Sequence, residues 1–240
     1  MRLLHGRVSI ELHTLKSGTG RPLLLLHALG ASAEAWSEAA AEWYHGPAYA
    51  LDFSGHGKSD HVRGGAYHSE YFLADADLAL QQIAEPCVLV GAGIGAYVAL
   101  LLAGARADQI LAALLLEGAG LEGGGSRPGH EIETDTVPEG IEGFERFIAA
   151  ASVDYAKSTD PLVAQCDRAL RPLDYVSSFA RAAKPMLFSA RVGREFHAPD
   201  WWQTAFEANQ AVSAPENWLD ALDALISQTH SRGANSKSHK

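Results

Sequence analysis

Between residues 88 and 100 the chain runs from a short apolar stretch, Val88-Leu89-Val90, through a turn holding Gly91, Gly93 and Gly95, into a second apolar stretch of helical length. A strand that passes straight into a helix through glycines needs a backbone turn and a close approach that side chains obstruct. A short unbroken apolar run belongs to a strand covered on both faces. The same order recurs along the chain. Leu23–Leu26 is followed by helical periodicity from Ser32, a candidate N-cap, to Tyr44; Tyr49–Leu51 by Ser69–Ile83; Cys87–Val90 by Ile94–Ala103; then comes Ile110–Leu116. Strands alternating with helices predict a mostly parallel sheet with helices on both faces.

The ends of the chain differ from this pattern. Leu3–Leu15 alternates as two antiparallel strands would, with Gly6 at the turn, and Ser17–Gly20 is a second turn. After Glu117 the alternation breaks: 118–129 is glycine-rich, and 137–183 reads as short helices without a strand. Strand character resumes at Lys184–Ser189, and Pro215–Gln228 is a last amphipathic helix. The expected organisation is one domain, with a core from 1–120 and 184–230, a helical cap at 121–183, and a polar, disordered tail at 231–240.

Composition narrows function by exclusion. A net charge of -10 with no basic stripe argues against nucleic acid. Cys87 and Cys166 fall in a strand and a helix, which does not suggest a disulfide framework, and 1–16 lacks the apolar run of a signal peptide. No stretch is long and apolar enough to cross a membrane, so a cytoplasmic protein is expected. The 11 histidines are scattered without metal-ligand spacing, and neither metal nor cofactor is expected. Gly91–Ala96 begins like a dinucleotide turn, but alanine stands at the third glycine, and the strand lies far from the start of the chain.

Three segments, in order and in spacing, resemble the α/β-hydrolase family. Leu23–Leu26 leads into His27-Ala28-Leu29-Gly30, Asp52–Ser59 matches the turn D-x-x-G-x-G-x-S, and Gly91–Gly95 matches G-x-S-x-G with Gly93 in place of the serine. The resemblance covers most of 1–120, loosens through 121–183, and returns at 184–189 and in the last helix. It implies an α/β-hydrolase fold with a capped small-molecule pocket. The backbone N–H groups of Leu29 and Ile94 would stabilise an oxyanion, and His27 and Gly93 would lie beside them.

The departures bear on chemistry. Gly93 keeps the turn and deletes the attacking atom, and no serine, cysteine or aspartate stands next to it. Where relatives carry the acid, this chain has Arg191-Val192-Gly193-Arg194-Glu195, leaving Glu195 as a substitute. Counting back from Pro215 to the expected histidine reaches Ala208 and Asn209, and the stretch from 194 to 215 is short enough to suggest a trimmed strand. Glu117 ends its strand where some relatives keep an acid, and is either a proton carrier or a solvated loop carboxylate. His27 and His56 read as structural, and His197 either reaches a pocket mouth or sits on the surface. Trp201-Trp202 either closes a pocket, forms a contact surface or packs in the core.

Two readings follow. One is a binder of an apolar or carbonyl-containing small molecule, a pseudo-hydrolase without acyl transfer. The other is an enzyme (hydrolase, lyase or cyclase) using non-standard acid and base residues. An interaction module working through the cap and the tryptophans is a third possibility, and a homodimer stands open.

Overall fold

Leu23, Leu24, Leu25 and Leu26 are each no more than 1% exposed, which a strand achieves only when both of its faces are covered. In the structure, a computed structural model, Leu24 and Leu26 pack into one hydrophobic cluster and Leu23 and Leu25 into another. Residues 1–36, 44–124, 159–189 and 196–213 are described, together with 220, 221, 224, 225 and 227 near the C-terminus.

The sheet has eight strands, β1 (Arg2–His5), β2 (Val8–Lys16), β3 (Leu23–Leu26), β4 (Ala48–Asp52), β5 (Cys87–Ala92), β6 (Ile110–Leu116), β7 (Met186–Ser189) and β8 (Val212–Ser213). They are ordered β1-β2-β4-β3-β5-β6-β7-β8. β2 is antiparallel to both of its neighbours, and every other pairing is parallel. The expected mixed sheet is therefore present, including the opening hairpin with Gly6 at φ 63°.

Four α-helices are described: α1 (Ser69–Ile83), α2 (Ile94–Ala105), α3 (Leu173–Ala182) and α4 (Asp200–Asn209). Phe72 of α1, Tyr97 of α2, Val176 and Ala180 of α3, and Trp201 of α4 join the cluster on one face of the sheet. Trp36, Ala221 and Leu225 join the cluster on the other. Of the helix expected from Ser32 to Tyr44, the described part is a 3-10 turn, Ala33–Trp36, with the Glu34 N–H donating to Ser32 Oγ at 3.4 Å. Residues 37–43 lie outside the described residues, as do 125–158 of the expected cap and the tail. Within the span expected as cap, α3 belongs to the core layer, because its Val176 and Ala180 are fully buried there.

One feature departs from the alternation read in the sequence. α4 was not anticipated, because its pattern mixes tryptophans with polar residues. It buries Trp201 against the Tyr97 ring, centroids 5.0 Å apart, and Trp202 against Phe188 at 4.8 Å. Both tryptophans are 5% exposed or less, so neither forms a contact surface. The last described strand, β8, lies parallel on β7 with both of its residues exposed; of the stretch expected to hold a trimmed strand, 194–195 and 214–215 lie outside the described residues.

Candidate functional site

β3 is hydrogen-bonded to β4 on one side and β5 on the other, so the strand order reverses between β3 and β5. Loops leaving neighbouring strands at such a reversal diverge and open a crevice at their carboxyl ends. Leu26 is in register with Gly91. Leu29 and Ile94, each three residues beyond that pair, are thereby brought face to face.

Gly93, between β5 and α2, has φ 56° and ψ −122°. Glycine reaches this region cheaply; another residue held there costs on the order of 1–3 kcal/mol. Close approach also matters here. A Cβ on Gly95 would come within 2.6 Å of the His27 carbonyl oxygen, so only glycine lets the start of α2 lie against the β3 loop.

The Leu29 N–H and the Ile94 N–H both donate, at 3.0 Å each, to the carbonyl oxygen of Ala119. These are the two groups that the family resemblance implies as oxyanion donors, and the turn after β6 supplies their acceptor. The same turn covers Gly93. A Cβ on Gly93 would overlap the Ala119 carbonyl oxygen and come within 2.8 Å of the Gly118 carbonyl carbon. Position 93 thus lacks a nucleophile and also the space for one.

The covering turn is held from several sides. The Gly93 N–H donates to Leu116 O at 3.1 Å and the Gly124 N–H to Ala169 O at 3.0 Å. Trp201 Nε1–H donates to Leu121 O at 2.6 Å, and Arg171 Nη2 donates to Gly120 O. Ala119 and Arg171 carried no signal in the sequence. The glycines flanking Ala119 could have marked a tight turn, but not what the turn would cover.

The histidines of the crevice are committed to the frame. His27 is fully buried; its Nε2 accepts from the Phe53 N–H at 3.1 Å, which leaves Nδ1–H to donate to Ala28 O at 2.8 Å. His56 likewise accepts from the Gly30 N–H at Nε2, 3.1 Å, and donates from Nδ1 to Ser54 O. Burial lowers the pKa of His27 and drives that of His56 well down, so both are neutral at pH 7. Neither has a free ring nitrogen with which to take a substrate proton.

The carboxylates of the adjacent turn are likewise occupied. Asp52 accepts from the Ala33 N–H at 2.7 Å and the Lys58 N–H at 2.9 Å, and bonds His13 Nε2 at 2.8 Å. Asp75 is fully buried and accepts from the Ser54 N–H and hydroxyl, with His5 Nδ1 at 2.7 Å. Asp75 went unremarked in the sequence because it lies mid-helix, on a face that the pattern alone does not orient.

The remaining candidates are dispersed. Glu117 is half-buried at the end of β6, with its backbone N–H on Ser189 O at 3.3 Å, and the oxygen above Gly93 belongs to Ala119 instead. His197 is exposed. Glu195 lies outside the described residues. Asn209, at the place of the expected base, ties α4 to β7: its side chain accepts from the Met186 N–H and donates to Ala180 O. A cleft of about 1030 Å³ opens elsewhere, between the β1–β2 turn and residues 60–63; Gly93, Leu29 and Ile94 do not line it. Among the described residues no helix is long and apolar enough to cross a membrane, and no group of three or more histidines, cysteines or carboxylates could hold a metal.

Solved structures share this fold along nearly the whole chain. An esterase from Thermogutta terrifontis, solved with malate bound, superposes with a TM-score of 0.69 at 17% identity, covering 96% of this chain and 99% of that one. An esterase from Rhodococcus sp. ECU1013 gives 0.67 at 20% identity over 94% and 97%. An N-formylmaleamic acid deformylase from Pseudomonas putida S16 gives 0.65 at 16% identity over 95% and 99%. No curated protein matches the chain in sequence. At such identities the likeness speaks for the fold alone. The family model described as alpha/beta hydrolase matches residues 23–232, and with the sheet order and the turn at Gly93 already in place, the chain belongs to the α/β-hydrolase family.

Proposed function

We propose that this chain is a pseudo-hydrolase, a ligand-binding member of its family without acyl-transfer chemistry. One observation carries the reading: a backbone carbonyl, that of Ala119, takes both the Leu29 and the Ile94 N–H directly above a glycine. Acyl transfer requires a nucleophile at that crest and two unengaged donors for the developing oxyanion. Here the first is absent and the second are engaged.

Support also comes from the histidines. A general base needs a ring nitrogen within reach of the proton that it removes. In His27 and His56 both nitrogens hold backbone groups, and His197 is exposed. The ligand class that fits two convergent N–H donors is a carbonyl-bearing small molecule. Two unpaired, buried cysteines, Cys87 and Cys166, suit a reducing compartment, consistent with a cytoplasmic protein.

The test is active-site titration. Incubation with a fluorophosphonate is expected to leave every serine unmodified by intact-protein mass spectrometry, and an activated aryl ester is expected to give no acyl-enzyme burst. Stoichiometric labelling of any serine overturns the proposal.

A further inference from the structure

Arg171 is 1% exposed and lies beside the turn that covers Gly93. Its guanidinium carbon is 4.6 Å from the centre of the Tyr97 ring and 5.6 Å from that of Trp201. Nη2 donates to Gly120 O, whereas among the described residues Nε and Nη1 have no acceptor, and the buried Tyr97 hydroxyl has no partner. Four of the five N–H groups of the guanidinium thus have no acceptor among the described residues.

Arg171 forms no close ion pair among the described residues. Asp167 and Glu122 act on it from longer range, and burial lowers its pKa to about 10, so it remains charged at neutral pH. A buried charge is retained only where something compensates it. Holding one turn carbonyl uses a single donor, and the Tyr97 and Trp201 rings and the more distant carboxylates leave the other N–H groups without an acceptor among the described residues. The surplus fits an anion with planar, paired oxygens.

We propose that the Ala119–Gly120 turn holds the place of a ligand, and that the molecule displacing it is a small carboxylate with a second carbonyl oxygen. The carboxylate takes the Arg171 guanidinium and the Tyr97 hydroxyl, and the second oxygen takes the Leu29 and Ile94 N–H groups. The two oxygens now filling those places are successive backbone carbonyls, so their replacements belong to one small molecule, as in a 3-oxo acid. This assignment rests on the reading of the site as a binding site.

The experiment is calorimetric titration of the full chain with acetoacetate and with acetylacetone, its neutral analogue. Acetoacetate is expected to bind at least about tenfold more tightly, the difference that a charge-assisted pair supplies. Arg171→Met is expected to lose that tenfold and to leave acetylacetone unchanged. Trp201→Phe removes the N–H that holds Leu121 O while keeping an aromatic ring. Because the turn must leave before the ligand enters, this variant is expected to bind acetoacetate about 3- to 10-fold more tightly. A structural role for Trp201 predicts the opposite sign, and this arm decides the matter even if Arg171→Met does not fold. Equal binding of both compounds overturns the carboxylate assignment and leaves the binding reading standing. Absence of binding by either, or unchanged or weaker binding in Trp201→Phe, overturns the proposal. Fluorophosphonate labelling, by contrast, would defeat only the earlier reading.

Discussion

At residue 93 one missing side chain has two consequences. The backbone stays at φ 56° without strain, and the Ala119 carbonyl can descend onto the Leu29 and Ile94 N–H groups. Gly93→Ser therefore meets two penalties: positive φ in a non-glycine residue and overlap with the Ala119 carbonyl of the seated turn. Each is on the order of 1–3 kcal/mol, so a loss of about 2–6 kcal/mol is expected by denaturant unfolding. Esterase activity should stay at background, because neither His27 nor His56 has a nitrogen to spare. A stable, active serine variant would mean that the turn is not seated where it is described and that the base is present after all.

At the scale of elements, β1 and α1 are joined by His5 Nδ1 on Asp75 Oδ1 at 2.7 Å. The hydrogen bond to Asp75 raises the His5 pKa above 6.5. For a base raised on folding, the added stability is complete below 6.5 and is lost as pH climbs through the folded value. His27 and His56 behave in the opposite way. Burial lowers their pKa values, so their contribution is complete above 6.5 and lost on acidification. The melting temperature is therefore expected to fall as pH rises from 6.5 towards 8, a decline that His5→Gln should flatten while leaving the acid-side fall in place. A decline that persists in His5→Gln, followed by circular dichroism, would place its source elsewhere. Asp75→Asn tests the same junction. It weakens the acceptors of the Ser54 N–H and hydroxyl in a fully buried site, and a loss of about 1–3 kcal/mol is expected.

At the scale of the molecule, the sheet separates two hydrophobic clusters, and β6 contributes Leu114 to one and Leu115 to the other. Leu114→Ala and Leu115→Ala are each expected to cost about 2–5 kcal/mol, since both side chains are fully buried. Val212→Ala, on the exposed edge strand, is expected to stay within about 0.5 kcal/mol. Comparable losses at all three positions would contradict the two-sided core. The sheet itself was legible in the sequence because strand burial and glycine turns are local properties: four leucines in a row, Gly6 between alternating stretches, and Gly93 after an apolar strand each speak within a few residues. Helix α4 did not show, because its tryptophans and polar residues become a pattern only against Tyr97 and Phe188 from elsewhere in the chain. The family frame and the absence of an attacking atom at 93 can be read from the residues alone, since a side chain is present or missing whatever the fold. That the Ala119 carbonyl fills the crevice, and that Arg171 lies buried beside it with donors to spare, was decided only in three dimensions. The first depends on backbone atoms, which every residue carries alike and only the path of the chain can aim; the second depends on Tyr97 and Trp201, which the fold brings to Arg171 from other parts of the chain.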